Sequence, residues 1–365
     1  MLTPEKVGIY VMFSVSRIGK FAVLVPLPFL ALSPVFGGSW AFVALFYLSI
    51  FAFLADESVT VDGARAAQDA PIYDFALAAI PVVLGFAHLC LLTIAILTLA
   101  LGDQSFGTKI VMFLAFSLFF GSISTANGHE LIHRRGWVRA TLGKWVFISL
   151  MFGHHVSAHL AVHHRHVATP LDPNSARVNE GFYRFFHRAW HGSFHAGLAV
   201  EKTRLAMLGR SGRHPANSYI TYCFGAIIFA SLAFVLAGFN GLLLYFAFAI
   251  IAQMQLLLSD YVQHYGLSRR LHQDGKYEPV SIFHSWNAQQ VFSAALMLNA
   301  PLHSDHHARP TLGFADLHSR RADGAPVLPY SIPIMSCLAL MPPIWRKVMN
   351  PKVADWQRVH GAVQN

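Results

Sequence analysis

The run HPANSYITYCFGAIIFASLAFVLAGFNGLLLYFAFAIIAQMQLLLS, residues 214–259, contains no Asp, Glu, Lys or Arg. A helix needs about 20 apolar residues to cross a bilayer, so this stretch is long enough to cross twice. Gly238-Phe239-Asn240-Gly241 near its middle carries turn chemistry. The run therefore reads as a tight hairpin of spans over about 218–237 and 241–259. The uncharged run 21–55 splits in the same way at Gly37-Gly38-Ser39, giving spans at 21–37 and 39–55, and the runs 75–102 and 110–128 supply spans at 75–101 and 110–128. The expectation is an all-α integral membrane protein with six transmembrane helices, folded as one domain over residues 1–365. Composition agrees, because 55% of the chain is hydrophobic and 12% charged, where a soluble domain carries about 25% charged residues. A fifth uncharged run, 324–345, holds Pro326, Pro329, Pro333, Pro342 and Pro343. Proline breaks a regular helix, so this run is expected to pack on the protein instead of forming a seventh span.

Six spans with two tight hairpins put the N-terminus, residues 56–74, 129–213 and 260–365 on one face. Residues 129–213 hold twelve Lys or Arg against four acids, and 260–365 ten against seven. The excess of basic residues marks this face as cytoplasmic and the membrane as the inner one. The loop 56–74, with five acids and one Arg, runs against the trend. Residues 1–20 lack the small-residue site of a removable signal peptide. Cys90, Cys223 and Cys337 lie in apolar runs with no CxxC spacing, which argues against a zinc site or a disulfide framework and reads as core. The formal charge of +9 accompanies no nucleic-acid module. Anionic lipid headgroups and an acidic protein partner are the expected counterparts, not nucleic acid.

Of the 21 histidines only His88 precedes residue 129. The rest fall on the face read as cytoplasmic or at the ends of spans facing it, and four clusters stand out among them. NGHELIHRR carries His129 and His133; HLAVHH carries His159, His163 and His164; DYVQHYGL carries His264; LHSDHHA carries His303, His306 and His307. Residues three or four apart share a helix face, so these spacings can place two imidazoles on one ion or on neighbouring ions. A doubled HH sends its second ring toward a second ion. Imidazole suits zinc, copper, iron and nickel, and the surplus of histidines without nearby cysteine favours two redox-active ions over structural zinc. Spacing alone leaves a rival set open, with His155, His159, His163 and His166 on one stripe. His187, His191 and His195 repeat at the same interval and read as surface or as partners of the ligating rings, and His88 reads as a packing residue. Asp305, Glu130 and Asp260 stand where a carboxylate can orient a ligating ring. Glu130 can equally pair with Arg134. His154, His155, His166, His272, His284 and His318 remain open as partners of the ligating rings.

Together the clusters resemble the membrane-bound non-haem di-iron alkane and xylene monooxygenases, relatives of the integral-membrane fatty-acid desaturases. HELIHRRGW is similar to their first box, HLAVHHRHVATPLDPNSAR to the second with its trailing segment, DYVQHYGL to their N-Y-x-x-H-Y-G-L signature, and LHSDHHARP to the last. The collinear likeness runs from about Asn127 to PPIWRKVMNPKV near the C-terminus. It implies nine iron ligands, His129, His133, His159, His163, His164, His264, His303, His306 and His307, with His154 beside them. It further implies two iron ions, dioxygen as co-substrate, six membrane helices, a cytoplasmic active site and a hydrophobic tunnel from the bilayer. The implied reaction is hydroxylation of an unactivated C–H bond, at the terminal methyl of an n-alkane or alkyl-aromatic, to a primary alcohol.

Two departures bear on substrate and redox partner. Alkane hydroxylases carry E-H-N-R-G-H-H where this chain has Ala158-His159-Leu160-Ala161-Val162-His163-His164, and L-Q-R where it has Ala300-Pro301-Leu302. No GxGxxG fingerprint follows a strand, so electrons must come from outside. A rubredoxin or ferredoxin-type reductase is implied, steered to the basic face by residues such as Arg134, Arg135, Arg184 and Arg188. The competing readings are a fatty-acyl desaturase or lipid hydroxylase on the same scaffold and, more distantly, a non-redox metal transporter. Transporter sites sit near the bilayer midplane, whereas these histidines lie beyond the spans.

Overall fold

A computed structural model describes residues 21–58 and 75–361. It contains helices and no strand among the described residues, only two isolated bridges, Leu271 with Tyr277 and Asn287 with Val327. Four helices are long and apolar enough to cross a membrane: α2 (Gly38–Ser58), α3 (Phe75–Leu101), α4 (Phe106–His133) and α8 (Ser218–His264). A shorter apolar helix, Ala22–Phe36, precedes them and includes α1 (Pro26–Phe36). The glycine turns read from sequence are present. Gly37 (φ 78°) separates α1 from α2, and α8 is two arms joined through Ala237 and Gly238 (φ 62°). A positive φ is the region glycine enters without a Cβ clash.

Two expected spans end later than their charge-free runs. α4 continues past residue 128 to His133, and α8 past 259 to His264. Both helices thereby carry a histidine box on their final turns. Between them run α5 (Trp137–Ser149), α6 (the short helical segment 154–166) and α7 (Phe182–Met207). After α8 come α9 (Val291–Leu296), α10 (His303–Ala308), α11 (Ile332–Ala339) and α12 (Pro342–Gly361). α11, from the proline-rich run, packs on α8 with Met335 and Ala339 fully buried, as expected of a segment that stays on the protein.

Two cores organise the chain. One lies among the long helices, with Leu84 and Leu91 of α3, Phe116, Phe119 and Phe120 of α4, and Tyr245 and Phe248 of α8. The other lies beyond them, with Phe182 and Phe185 of α7, Tyr261 and Tyr265 around the end of α8, Trp286, and Trp345 of α12. The outer faces of the long helices remain apolar, with Phe42, Phe86, Ile227 and Val235 all more than half exposed. In a span such surface meets lipid. The cysteines correct the reading as core, because Cys90, Cys223 and Cys337 are all exposed. Their apolar neighbourhood in the sequence reflects the outer face of the helices as much as the interior. His88 is fully buried, with its Nε2 2.7 Å from Ser149 Oγ and its ring edge-on to Phe120, as a packing residue should be.

Candidate metal centre

Nine imidazoles converge where α4, the 154–166 segment, α8 and α10 meet. They form two groups, His129, His133, His159, His164 and His306, and His163, His264, His303 and His307, with the potential ligand atoms of each group within 4.8 Å of one another. These are the nine residues that the resemblance implied. His129 and His133 share the last turns of α4 at i, i+4, and His303 and His307 do the same on α10. The second box behaves differently. His159–His163 is a turn of π-helix, with the His164 N–H donating to His159 O. In an α-helix residues five apart stand about 140° from each other. Closing the turn at i→i+5 brings them to one face. His159 and His164 accordingly join the first group with their Nε2 atoms 2.9 Å apart, while His163 turns to the second. The stripe His155, His159, His163 and His166 does not assemble.

Hydrogen bonding among the rings cannot account for the first group. The Nε2 atoms of His133, His159 and His164 lie 3.0, 3.1 and 2.9 Å apart in a closed triangle. Each neutral Nε2 is either a donor or an acceptor, so at least one of three mutual pairs must set like against like. Three lone pairs directed at one cation remove the conflict, and about 3 Å is the separation of adjacent nitrogens on an ion bound at about 2.1 Å. His306 Nε2 lies 3.1 Å from His164 Nε2, and His129 Nε2 is buried with no hydrogen-bond partner among the described residues. In the second group His303 Nε2 lies 3.0 Å from that of His264 and 3.1 Å from that of His307, and His163 Nε2 is also without a partner. The donor set fits two ions that accept imidazole.

Burial, reinforced by neighbouring rings, pushes His159, His164, His306 and His307 well below the ordinary histidine range, and burial takes His303 to about 3. These rings are neutral near pH 7, the form that binds metal. His163 is the exception. Burial lowers it, but the charge and hydrogen bond of Asp172 outweigh burial and raise it. The rise reflects how strongly Asp172 pulls on the ring. Asp172 Oδ2 accepts from His163 Nδ1 at 2.9 Å, which leaves the Nε2 lone pair for the second group.

Asp172 was not singled out from sequence, although it stands in the trailing segment ATPLDPNSAR. It accepts from Ser175 Oγ (2.7 Å) and the Asn174 N–H (3.0 Å), and its loop is held by Arg188, which donates to Glu180, Pro173 O and Ser175 O. The acids named beforehand stand elsewhere. Asp305 accepts from Arg309, Arg320 and the His318 N–H, so its oxygens serve a guanidinium clamp and not an imidazole. Helical geometry explains this, since a residue two after His303 and one before His306 points away from the face they share. Glu130 pairs with Arg134 at 3.1 Å and accepts from the Phe314 N–H, which decides between its two readings. Asp260 accepts from Asn174 at 2.6 Å and so sits beside the Asp172 network without bonding a ring. His154 packs among Phe152, Trp190 and Phe194, and burial lowers it to about 3. His155 stacks on the ring of His159 with centroids 5.0 Å apart. His284 bonds Glu278, and His187, His191 and His195 line the exposed side of α7.

A cavity of about 710 Å³ reaches the imidazoles at His129, His155, His159 and His303. Its walls are largely apolar, with Leu48, Ile50 and Phe53 of α2, Leu118 of α4, Met254 and Leu258 of α8, and Ile332 to Leu340 around α11.

Residues 107–338 match the family model for fatty acid desaturases. The chain is 33% identical over 245 residues to alkane 1-monooxygenase 2 of Alcanivorax borkumensis, covering 67% of this chain and 64% of that protein. It is 31% identical over 287 residues to alkane 1-monooxygenase 1 of Pseudomonas aeruginosa, covering 75% and 74%. It is 30% identical over 235 residues to the xylene/toluene monooxygenase hydroxylase component of Pseudomonas putida, covering 63% and 60%. The chain thus spans somewhat less than two thirds of the length of several of these relatives, as with the 64% of the Alcanivorax protein. With the histidine geometry and these matches together, the chain belongs to the fatty acid desaturase family and stands in it beside the alkane 1-monooxygenases.

Proposed function

We propose that this chain is an oxygen-dependent hydroxylase that inserts oxygen into an unactivated C–H bond of an apolar substrate drawn from the bilayer, an n-alkane or alkyl-aromatic attacked at its terminal methyl to give a primary alcohol. The observation that carries this reading is the cavity, because one apolar space of about 710 Å³ ends on ring atoms of both imidazole groups. The nine histidines would hold two iron ions, five rings on one and four on the other. Bound there, the iron pair supplies the reduction of dioxygen and the oxidation of the C–H bond.

The chain's own residues do the rest. The π turn at His159–His163 divides the second box between the two groups, and Asp172 fixes the tautomer and tilt of His163. Glu130 and Arg134 tie the end of α4 to residues 311–314, and Arg309 and Arg320 clamp Asp305 at the base of α10. These contacts hold the rings in place. Leu48, Phe53, Met254 and Leu258 exclude water and direct a chain end toward His129, His159 and His303.

The membrane reading completes the proposal. Six crossings follow if Ala22–Phe36, α2, α3, α4 and the two arms of α8 all span, with the histidines on the cytoplasmic face of the inner membrane and the whole chain acting as one domain. Electrons then arrive from a soluble rubredoxin or ferredoxin-type reductase. A second reading, fatty-acyl desaturation or lipid hydroxylation, is favoured by the family match over residues 107–338. Turnover under labelled dioxygen with octane, hexadecane, xylene and palmitate separates them. The label appears in a primary alcohol if the proposal holds; an alkene without label supports the desaturase; no product from any of the four contradicts both.

A further inference from the structure

α10 carries three of the nine imidazoles in six residues, too few for a helix to persist by itself. The first N–H groups of a helix have no partner within it, and Leu302, just before α10, offers no side-chain cap. The cap comes from seventeen residues upstream of Ser304. Asn287 Oδ1 accepts both the Ser304 N–H and the Ser304 hydroxyl, each at 3.0 Å. The rest of Asn287 is held just as firmly. Its backbone N–H (2.9 Å) and Nδ2 (3.0 Å) donate to Pro326 O, and its carbonyl accepts the Leu328 N–H at 2.8 Å.

The neighbours of Asn287 reach the other helix of the second imidazole group. Trp286 donates its backbone N–H to Gln263 O (2.8 Å) and its Nε1 to Tyr265 O (2.9 Å), so it grips α8 on both sides of His264. Ser285 Oγ lies 3.4 Å from His264 Nδ1. The Ala288 N–H donates to Pro301 O at 3.1 Å, two residues before His303. Residues 285–288 are all buried. They bond the end of α8 and the start of α10 at once.

We propose that Asn287 is a positioning residue for the second group, setting α10 against the end of α8 so that His264, His303 and His307 address one ion. The Nε2 atoms of His264 and His303 lie 3.0 Å apart although they come from different helices. Three of the four rings in this group depend on that docking, and Asp172 holds the fourth, His163. The first group takes a single ring, His306, from α10 and its other four from α4 and α6. Loss of the cap should therefore fall on the second ion. The inference rests on the nine histidines being iron ligands.

Iron retained against a chelator titration tests this without turnover. Asn287→Ala should lower the affinity for one of two ions about 10- to 100-fold, the loss expected when a group behind a metal ligand is removed. In Mössbauer spectra the weakened component should be the one missing from the His264→Ala, His303→Ala chain. Asn287→Ala added to that chain should weaken its remaining ion by well under tenfold. Ser304→Ala gives up the hydroxyl bond and keeps the N–H, so it should cause a smaller loss of the same ion, and it carries the test if Asn287→Ala does not fold. The two substitutions together should cost no more than Asn287→Ala alone, because removing the acceptor already removes the hydroxyl bond. Equal weakening of both ions, as a merely structural role would give, overturns the proposal, and so does weakening of neither or additive losses in the double variant. Two irons in the wild-type chain, read in the same titration, keep a failure here separate from a failure of the iron reading.

Discussion

At the scale of single residues, one carboxylate governs one ring. Asp172 holds His163 through Nδ1, and its own orientation depends on Asn174, Ser175 and the Arg188 clamp. Asp172→Ala should lower metal affinity about 10- to 100-fold, with loss concentrated in the group containing His163, read as iron retained against a chelator titration. His154 supplies a pH test. The free ring takes up a proton near pH 6.5, whereas burial lowers the folded ring to about 3. The unfolded chain therefore binds more protons between these values. The stability associated with a neutral His154 is intact above about pH 6.5 and declines as pH falls toward 3, by up to about 1.4 kcal/mol per unit. His154→Phe fits the surrounding Phe152, Trp190 and Phe194 and should make that acid limb shallower, by His154's share of the several buried histidines, in unfolding curves taken from pH 7 to 4. Residue types and spacing made the histidine clusters legible, because imidazole is scarce in membrane chains and recurs here at helical intervals. The choice of His159, His163 and His164 over the stripe through His155 and His166 rested on the family resemblance. Their partners were not legible. Asp305 and Asp172 are both near histidines in sequence, and only the loop held by Arg188 decides which one faces a ring.

At the scale of elements, the phase of the helix does the sorting. The second box lies in a π turn, and one extra residue per turn is what lets His159 and His164 meet while His163 faces the other group. Deleting Ala161 should convert the π turn to an α-helical one that leaves His159 and His164 at i, i+4 on one face and should retain metal binding, whereas an alanine inserted after Ala161 should carry His163 and His164 about 100° further round and abolish it in both groups. Elemental analysis of the purified variants checks both outcomes. Leu160-Ala161-Val162, which differ from the residues that alkane hydroxylases carry there, form the interior of this turn. A 3.6-residue period therefore predicts the wrong partners for the second box. The same period works for His129 with His133 and for His303 with His307. The glycine turns at Gly37 and Gly238 were legible because a positive φ leaves a mark in composition. The extension of α4 and α8 beyond their charge-free runs was not, since Glu130 and Asp260 end the apolar pattern without ending the helix.

At the scale of the molecule, apolar helices deliver their last turns to a histidine-lined site, and basic residues surround it. The structure narrows which of them can steer a partner. Arg134 is spent on Glu130 and on the Thr311 and Leu312 carbonyls, and Arg188 on its loop, whereas Arg135, Arg165 and Arg184 are exposed. Charge reversal of Arg135, Arg165 and Arg184 together should slow coupling to an acidic electron donor about tenfold or more at low salt and make the remaining rate less sensitive to salt, as read by donor oxidation in stopped flow. An unchanged rate and salt slope would remove electrostatic steering from the account. The membrane class and the clustering of histidine were legible because both rest on composition over long windows. A tunnel was expected from the resemblance, but the residues lining the cavity were not legible, because they come from α2, α4, α8, α9 and α11 at once and no single stretch of sequence carries them. The central claim is that two imidazole groups hold two iron ions, and iron per chain in the purified, iron-reconstituted protein tests it most directly. The account predicts two irons per chain, falling toward one when His264 and His303 are both replaced by alanine. A value of one or none in the unaltered protein would contradict it.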